Sequence, residues 1–173
     1  RNEVMANAYF LRAYCYFTLV RVFGDCPLLT SGFESEKQED MYPSRTAASE
    51  VYAQVETDIE EALRLMPASS KLLHKASPAA INMLRTEYYL WKAKRLGGGN
   101  AALSTAQSSV DAVLKAGYAL LPTFADIFNL NNEANSELIW TLPYIVNENV
   151  TPGTSPNFFA YYLAPNGDRT RLR

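Results

Sequence analysis

The sequence predicts a mainly α fold of antiparallel helical hairpins, TPR-like in that the element lengths resemble two-helix tetratricopeptide units, with little strand. Three observations carry this. Four segments repeat apolar residues at three- and four-residue spacing, each is closed by glycine or proline, and short turns between successive helices imply antiparallel neighbours.

The first helix contains FLRAYCYFTLVRVFGDCPL, Phe10 to Leu28. Ala6, Phe10, Ala13, Phe17 and Val20 share one face, and Tyr9, Tyr16 and Phe23 form a second aromatic line. A helix apolar on two sides is expected to be central, with Cys15 in the core. Gly24 closes it, Asp25 suits a turn, and Pro27 prevents its resumption. The acidic, proline-containing run SGFESEKQEDMYPS then reads as an exposed connection and a possible interaction loop.

From Thr46 to Met66 a second helix carries Val51, Val55, Ile59, Ala62, Leu63 and Met66 on one stripe, with Thr46 as N-cap and Pro67 past its end. Glu50, Glu56, Asp58, Glu60 and Glu61 lie off that stripe. Paired carboxylates invite a glycosidase reading, against which a solvated acidic face is the expectation. Ser77-Pro78 opens a third helix running to about Leu96, with Ala80, Met83, Leu84, Tyr88, Trp91 and Leu96 on its stripe. It ends at Gly97-Gly98-Gly99, a turn and not a phosphate loop, since no strand precedes it. Asn100 can cap a fourth helix with Leu103, Ala106, Val110, Val113 and Leu114 inward, ended by Gly117.

Charge supports the hairpins. From Glu34 to Glu61 there are nine acidic and two basic residues, and from Ala62 to Arg95 seven basic and one acidic, so helices two and three present complementary faces. A helical turn is expected around Phe124 to Phe128, and Leu138 to Tyr144 (LIWTLPY) reads as the one strand, pairing with Pro27 to Thr30, with the tail, or with sequence outside this chain. From Ile145 the chain is rich in Asn, Pro, Gly and Thr without any period. Residues 1–144 are therefore expected to form the helical region and 145–173 an irregular segment.

The totals exclude several classes. A chain of 173 residues can bury a full core without disulfide or metal. A net charge of −2 gives no footprint for nucleic acid. No run of 18 apolar residues marks a membrane span. Arg1 opens almost inside a helix, so the chain is expected to be a fragment or a processed product. Cys15 and Cys26 lack metal-site spacing and read as separate thiols. His74 is the one histidine, in a linker, and no nucleophile-base pair can be built around it. Asn129, Asn131, Asn132, Glu133 and Glu137 are oxygen ligands without the carboxylate order of a calcium loop. No metal and no cofactor is expected. Arg12, on a helix committed to burial, is expected to be held by Asp58, and Tyr9, Phe10 and Phe17 are expected to be scaffold.

In order along the chain, these motifs resemble the SusD/RagB family. FLRAYCYFTLVRVFGDCPL resembles its FLRA-x-YYF-x-L-x-R-x-FGDVPL helix, and Glu50 through Pro67 resembles its EVY-x-x-I-x-x-DL-x-x-A-x-x-LP helix. Ala76 to Trp91 is similar to its next helix, and AGYAL and SELIW, from Ala116 and Ser136, resemble SGYYL and SEIIF. Cys26 departs from the usual small aliphatic, and Arg85-Thr86 from the usual Ala-Arg.

The resemblance covers Glu3 to Tyr144 and implies a SusD-like α-α superhelix, in a protein about three times this length. It implies non-catalytic binding of an oligosaccharide or polysaccharide, and delivery to a SusC-like TonB-dependent transporter. It also implies a surface-exposed lipoprotein of the outer membrane, with signal peptide and lipidated cysteine outside this chain. Sugars stack on aromatic faces supported by amide and Arg donors, so Phe158, Tyr161 and Tyr162, near Asn157 and Arg169, are the candidate ligand-binding residues. Two other classes fit the sequence: a helical-repeat scaffold binding a protein without sugar, and a helical-toroid enzyme acting on glycans.

Overall fold

A computed structural model describes residues 1–32, 42–70, 73–132 and 134–142. Packing divides the chain into one unit, Arg1–Thr141, and a second, Leu142–Arg173. The first contains α1 (Asn2–Phe23), α2 (Ala48–Leu65), α3 (Pro78–Arg95), α4 (Gly99–Leu114), the single turn α5 (Phe124–Ile127) and a 3-10 turn at Leu130–Asn132.

The expected helical hairpins are present: α1 packs mainly on α2, and α3 mainly on α4. Directions follow from side chains that meet. Asp25, past the end of α1, accepts the Ala48 N–H at the start of α2 (2.8 Å), whereas Ser70, past the end of α2, reaches Glu3 at the start of α1 (3.4 Å). The pair is antiparallel. Asn7 Oδ1 accepts the Ala76 N–H just before α3 (2.8 Å), and Phe17 further along meets the Tyr88 and Trp91 rings at 5.6 and 6.5 Å. Helices α1 and α3 therefore run the same way, as in two stacked hairpins.

The core is the apolar stripe of each helix turned inward. Ala6, Phe10, Ala13, Phe17 and Val20 meet Val51, Val55, Ile59 and Ala62, then Ala80, Ile81, Leu84 and Tyr88, then Ala102 and Ala106. Across α1 and α2 lies the expected ion pair. Arg12 donates from Nε to Asp58 Oδ2 and from Nη2 to Oδ1, both at 2.7 Å, and Asp58 is 1% exposed. After Gly24 the chain returns along α1: the Leu29 N–H donates to the Tyr16 hydroxyl (2.7 Å) and Arg12 Nη1 to the Thr30 carbonyl (3.2 Å).

Several local expectations fail for identifiable reasons. Thr46 does not cap α2: the cap position falls on Ala47, Thr46 lies one residue earlier with its N–H on the Cys26 carbonyl (3.0 Å) in a lone bridge, and Asp25 supplies an acceptor for the Ala48 N–H. The acidic side of α2 is not simply solvated, since Asp58, Glu56 and Glu60 all hold basic partners. Met83 points outward on α3, and on α4 the buried residues are Ala102, Ala106, Ser109 and Val113, while Leu103 and Leu114 are exposed.

Gly98, not Asn100, occupies the cap of α4, where a Cβ would stand 2.8 Å from Ala102 Cβ and 3.0 Å from Lys92 Cγ. Cys15 is exposed and Cys26 buried, the reverse of a core Cys15. Within the described part of the expected strand, 138–142, there is no strand. Trp140 instead sets its ring edge-on to Phe10 (5.2 Å) and Tyr14 (5.3 Å), and the Thr141 N–H donates to Leu73 (3.1 Å). The segment plugs the side of α1, and Pro27 to Thr30 is already engaged by Tyr16 and Arg12.

Phe17 is 1% exposed and packs on Tyr88 and Trp91. Phe17→Ala is expected to cost about 3 to 5 kcal/mol by urea unfolding, through the cavity it leaves. A cost below about 1 kcal/mol would show that the ring is not scaffold.

Candidate functional site

Past α2 and past α4 the chain makes two irregular passes, and the space between them and the start of α3 is the candidate site. Ser77 fixes the start of α3 by accepting the Ala80 N–H (3.1 Å), with Pro78 at the first helical position. Gly117, at φ 88°, turns the chain after α4 through a conformation that side chains disfavour. The Ala119 N–H then donates to the Ser136 carbonyl (3.0 Å) and the Ser136 hydroxyl donates back to Ala119 (3.1 Å). Asn135 pins the intervening loop: its amide donates to the carbonyls of Ile127 (3.3 Å) and Asn132 (3.1 Å), and its Oδ1 accepts the Glu137 N–H (3.1 Å).

These passes leave an open pocket of about 310 Å³. Its polar lining comes from Ser70, Ser77, Tyr118, Asn135 and Ser136 and its apolar lining from Leu73, Pro78, Leu138 and Ile139. Among the described residues no charged side chain lines it. Asn135, Ser77 and Ser136 are committed to the loops they hold. Tyr118, half-buried, has no hydrogen-bond partner for its hydroxyl among the described residues, and Ser70 is held only by two long contacts, 3.4 Å each, to Glu3 and the Ala76 carbonyl. Neutral hydroxyls beside an aromatic ring and apolar walls suit an uncharged, hydroxyl-rich ligand of modest size.

The charged groups lie elsewhere, between α2, α3 and α4. Lys92 Nζ donates to both oxygens of Glu56 (2.8 and 2.7 Å), and the Tyr88 and Tyr89 hydroxyls reach the same carboxylate at 2.9 and 3.0 Å. Arg85 bridges Glu60 (2.7 Å) and the Ser109 hydroxyl of α4 (2.9 Å). Burial pushes the Glu56 carboxyl up, but the hydrogen bonds from Lys92, Tyr88 and Tyr89 outweigh it and hold the group below its ordinary value. Burial, then the neighbouring carboxylate, pushes both tyrosine hydroxyls well up. A glycosidase acid needs the opposite perturbation, a carboxyl kept protonated.

The residues singled out in the sequence fall in three places. Asn157, Phe158, Tyr161, Tyr162 and Arg169 lie outside the described residues. His74 is exposed, its Nδ1 3.3 Å from the Thr141 hydroxyl. Asn129 and Asn132 serve the loop itself and Glu137 accepts the Leu121 N–H (2.9 Å); Glu133 lies outside the described residues. Among the described residues no three His, Cys, Asp or Glu side chains gather as a metal set. The pocket residues were missed because they come from three distant segments with no shared spacing. The AGYAL and SELIW motifs were their one sequence signal.

A family model described as SusD-like, starch-binding and associating with the outer membrane matches residues 1–90, which are α1, α2 and most of α3. SusD-like protein P25 of Formosa agariphila is 28% identical over 149 residues, covering 82% of this chain and 26% of that protein. NanU of B. fragilis has the same helical arrangement, with a TM-score of 0.75 at 29% identity over 84% of this chain and 29% of that one. A laminarin-binding SusD-like protein matches with a TM-score of 0.65 at 25% identity, over 81% of this chain and 31% of that one. This chain spans only 26% to 34% of the length of the curated relatives it matches.

Because the folded Glu56 value lies below the unfolded one, the network adds stability above the ordinary carboxylate pKa of about 4.3 and loses it as pH falls through the depressed value. Glu56→Gln is expected to cost about 1 to 3 kcal/mol at pH 7, and the gap to the parent should narrow below about pH 4. Urea unfolding across pH 3 to 7 checks this, and a gap independent of pH would contradict it.

Proposed function

This chain belongs to the SusD-like family, and from that premise we propose that it is the helical part of a non-catalytic glycan-binding protein. In this reading the whole protein holds an oligosaccharide at the cell surface and passes it to a SusC-like TonB-dependent transporter. The observation that carries the glycan part is a pocket with no charged side chain and no partner for the Tyr118 hydroxyl among the described residues, in a fold shared with a laminarin-binding relative. The observation behind the non-catalytic part is the commitment of Asp58, Glu56 and Glu60 to basic partners.

The main stacking platform we assign to Phe158, Tyr161 and Tyr162, with Asn157 and Arg169 as donors, and Tyr118 supplies a separate face. Among the described residues no helix is long and apolar enough to cross a membrane. Attachment to the outer membrane is proposed through a lipidated cysteine outside these residues.

Titration calorimetry of the full-length protein against starch, laminarin and mucin oligosaccharides tests this. Micromolar affinity for at least one is expected, with no reducing ends released, and residues 1–173 alone should bind no tighter than about 1 mM, roughly −4 kcal/mol. Tyr161→Ala/Tyr162→Ala and Tyr118→Ala should each weaken binding by about tenfold or more, that is about 1.4 kcal/mol. Failure of the full-length protein to bind any of these glycans would favour a helical-repeat scaffold, and release of reducing ends would make it an enzyme.

A further inference from the structure

The segment after α4 is held with little packing. Leu120 is 84% exposed and Phe124 77%, and α5 buries none of its four residues. Yet this segment carries Tyr118, the one aromatic ring that lines the pocket among the described residues. The Tyr118 hydroxyl has no partner there either, so the ring stands where its backbone puts it. Before it, Gly117 sets the turn at φ 88°.

After Tyr118 the backbone is tied at two points to residues 136 and 137. Ser136 takes both groups of Ala119: its carbonyl accepts the Ala119 N–H (3.0 Å) and its hydroxyl donates to the Ala119 carbonyl (3.1 Å). Two residues further on, Glu137 Oε2 accepts the Leu121 N–H (2.9 Å). A carboxylate on an N–H makes a bond roughly twice as strong as a neutral acceptor does. The base of this strut is itself fixed, since the Glu137 N–H donates to Asn135 Oδ1 (3.1 Å) and the Asn135 amide holds the carbonyls of Ile127 and Asn132.

Glu137 does not line the pocket, although Asn135, Ser136, Leu138 and Ile139 on either side of it do. Among the described residues its carboxylate makes no ion pair and has the Leu121 N–H as its one hydrogen-bond partner. A half-buried charge spent on one backbone amide, behind a ring that nothing else holds, has a positioning role. We propose that Glu137 is a positioning residue for the pocket, holding the backbone at Leu121 so that the Tyr118 ring is presented to the ligand in a fixed place. The sugar part of this assignment rests on the glycan reading of the pocket; the hold on Tyr118 does not.

Fluorine NMR of the full-length protein labelled with fluorotyrosine, with the Tyr118 resonance identified by its loss in Tyr118→Phe, reads the ring without any ligand. Glu137→Ala should shift or broaden that resonance and speed exchange of the Leu121 amide by about tenfold or more, while the amides of α2 stay protected. Glu137→Gln keeps an oxygen that accepts the Leu121 N–H and should restore both. An unchanged Tyr118 resonance in Glu137→Ala would overturn the assignment, and so would loss of protection in α2, which would make Glu137 a support of the whole fold. With laminarin oligosaccharides as the probe, Glu137→Ala should weaken binding by about tenfold, and adding it to Tyr118→Ala should weaken binding no further, since both changes act through one ring. Equal weakening in both backgrounds would overturn the route through Tyr118. Parental affinity in Tyr118→Ala, or no laminarin binding by the parent, would count against the glycan reading alone, and the resonance would still decide the hold on Tyr118.

Discussion

Asp58 is a carboxylate at 1% exposure in the middle of α2, and the arrangement of the first hairpin depends on what answers it. Taking such a charge out of water costs several kcal/mol unless hydrogen bonds and an opposite charge replace the solvent. Arg12 supplies two bonds from one planar guanidinium, and Gln54 Nε2 adds a third at 2.8 Å. The hydrogen bond to Asp58 also raises the Arg12 pKa, so the cation is never lost. A planar fork tolerates little sliding or rotation of α1 against α2. The same guanidinium reaches the Thr30 carbonyl, which ties the segment after Gly24 to the helix it has just left.

The second contact surface uses the same principle with different groups. Glu56 and Glu60 of α2 face Lys92 and Arg85 of α3, and Arg85 continues to Ser109 on α4. Apolar side chains supply most of the buried area, but they would pack at several registers with little penalty. The charged groups discriminate among those registers, because a shift of one turn would part Glu56 from Lys92 and Glu60 from Arg85. No buried side-chain polar atom among the described residues lacks a hydrogen-bond partner, as such a design requires. Carboxylates so engaged hold helices in place and are poor candidates for acid-base chemistry on a ligand.

What was legible in the sequence was local or carried by an obvious mismatch. The inward face of α1 shows in its spacing, Ser77-Pro78 marks the start of α3, and an arginine on a buried helix requires a carboxylate, which Asp58 provides. What was illegible depended on partners far along the chain. Asp25 caps α2 from 23 positions before Ala48, a distance at which no local capping pattern can show it. Leu103 and Leu114 look like the inward residues of α4 by size, yet the face it buries carries Ala102, Ala106, Ser109 and Val113. LIWTLPY has the composition of a strand, but in its described part Trp140 packs edge-on against Phe10 and Tyr14 and the Thr141 N–H goes to the Leu73 carbonyl. The pocket was hidden for the same reason, since Ser70, Tyr118 and Asn135 converge only in three dimensions.

If the Arg12–Asp58 pair sets the register of the hairpin, a double-mutant cycle on these two residues reads it most directly. The three variants are Arg12→Met, Asp58→Leu and the two together, each followed by urea unfolding of the full-length protein. The Arg12→Met change alone should cost about 3 to 5 kcal/mol, because it strands a buried carboxylate, whereas the double variant should recover most of that loss. The predicted coupling therefore exceeds about 1.5 kcal/mol, well beyond the few tenths expected of independent sites. Additive costs, with coupling below about 0.5 kcal/mol, would contradict the dependence of the fold on this pair.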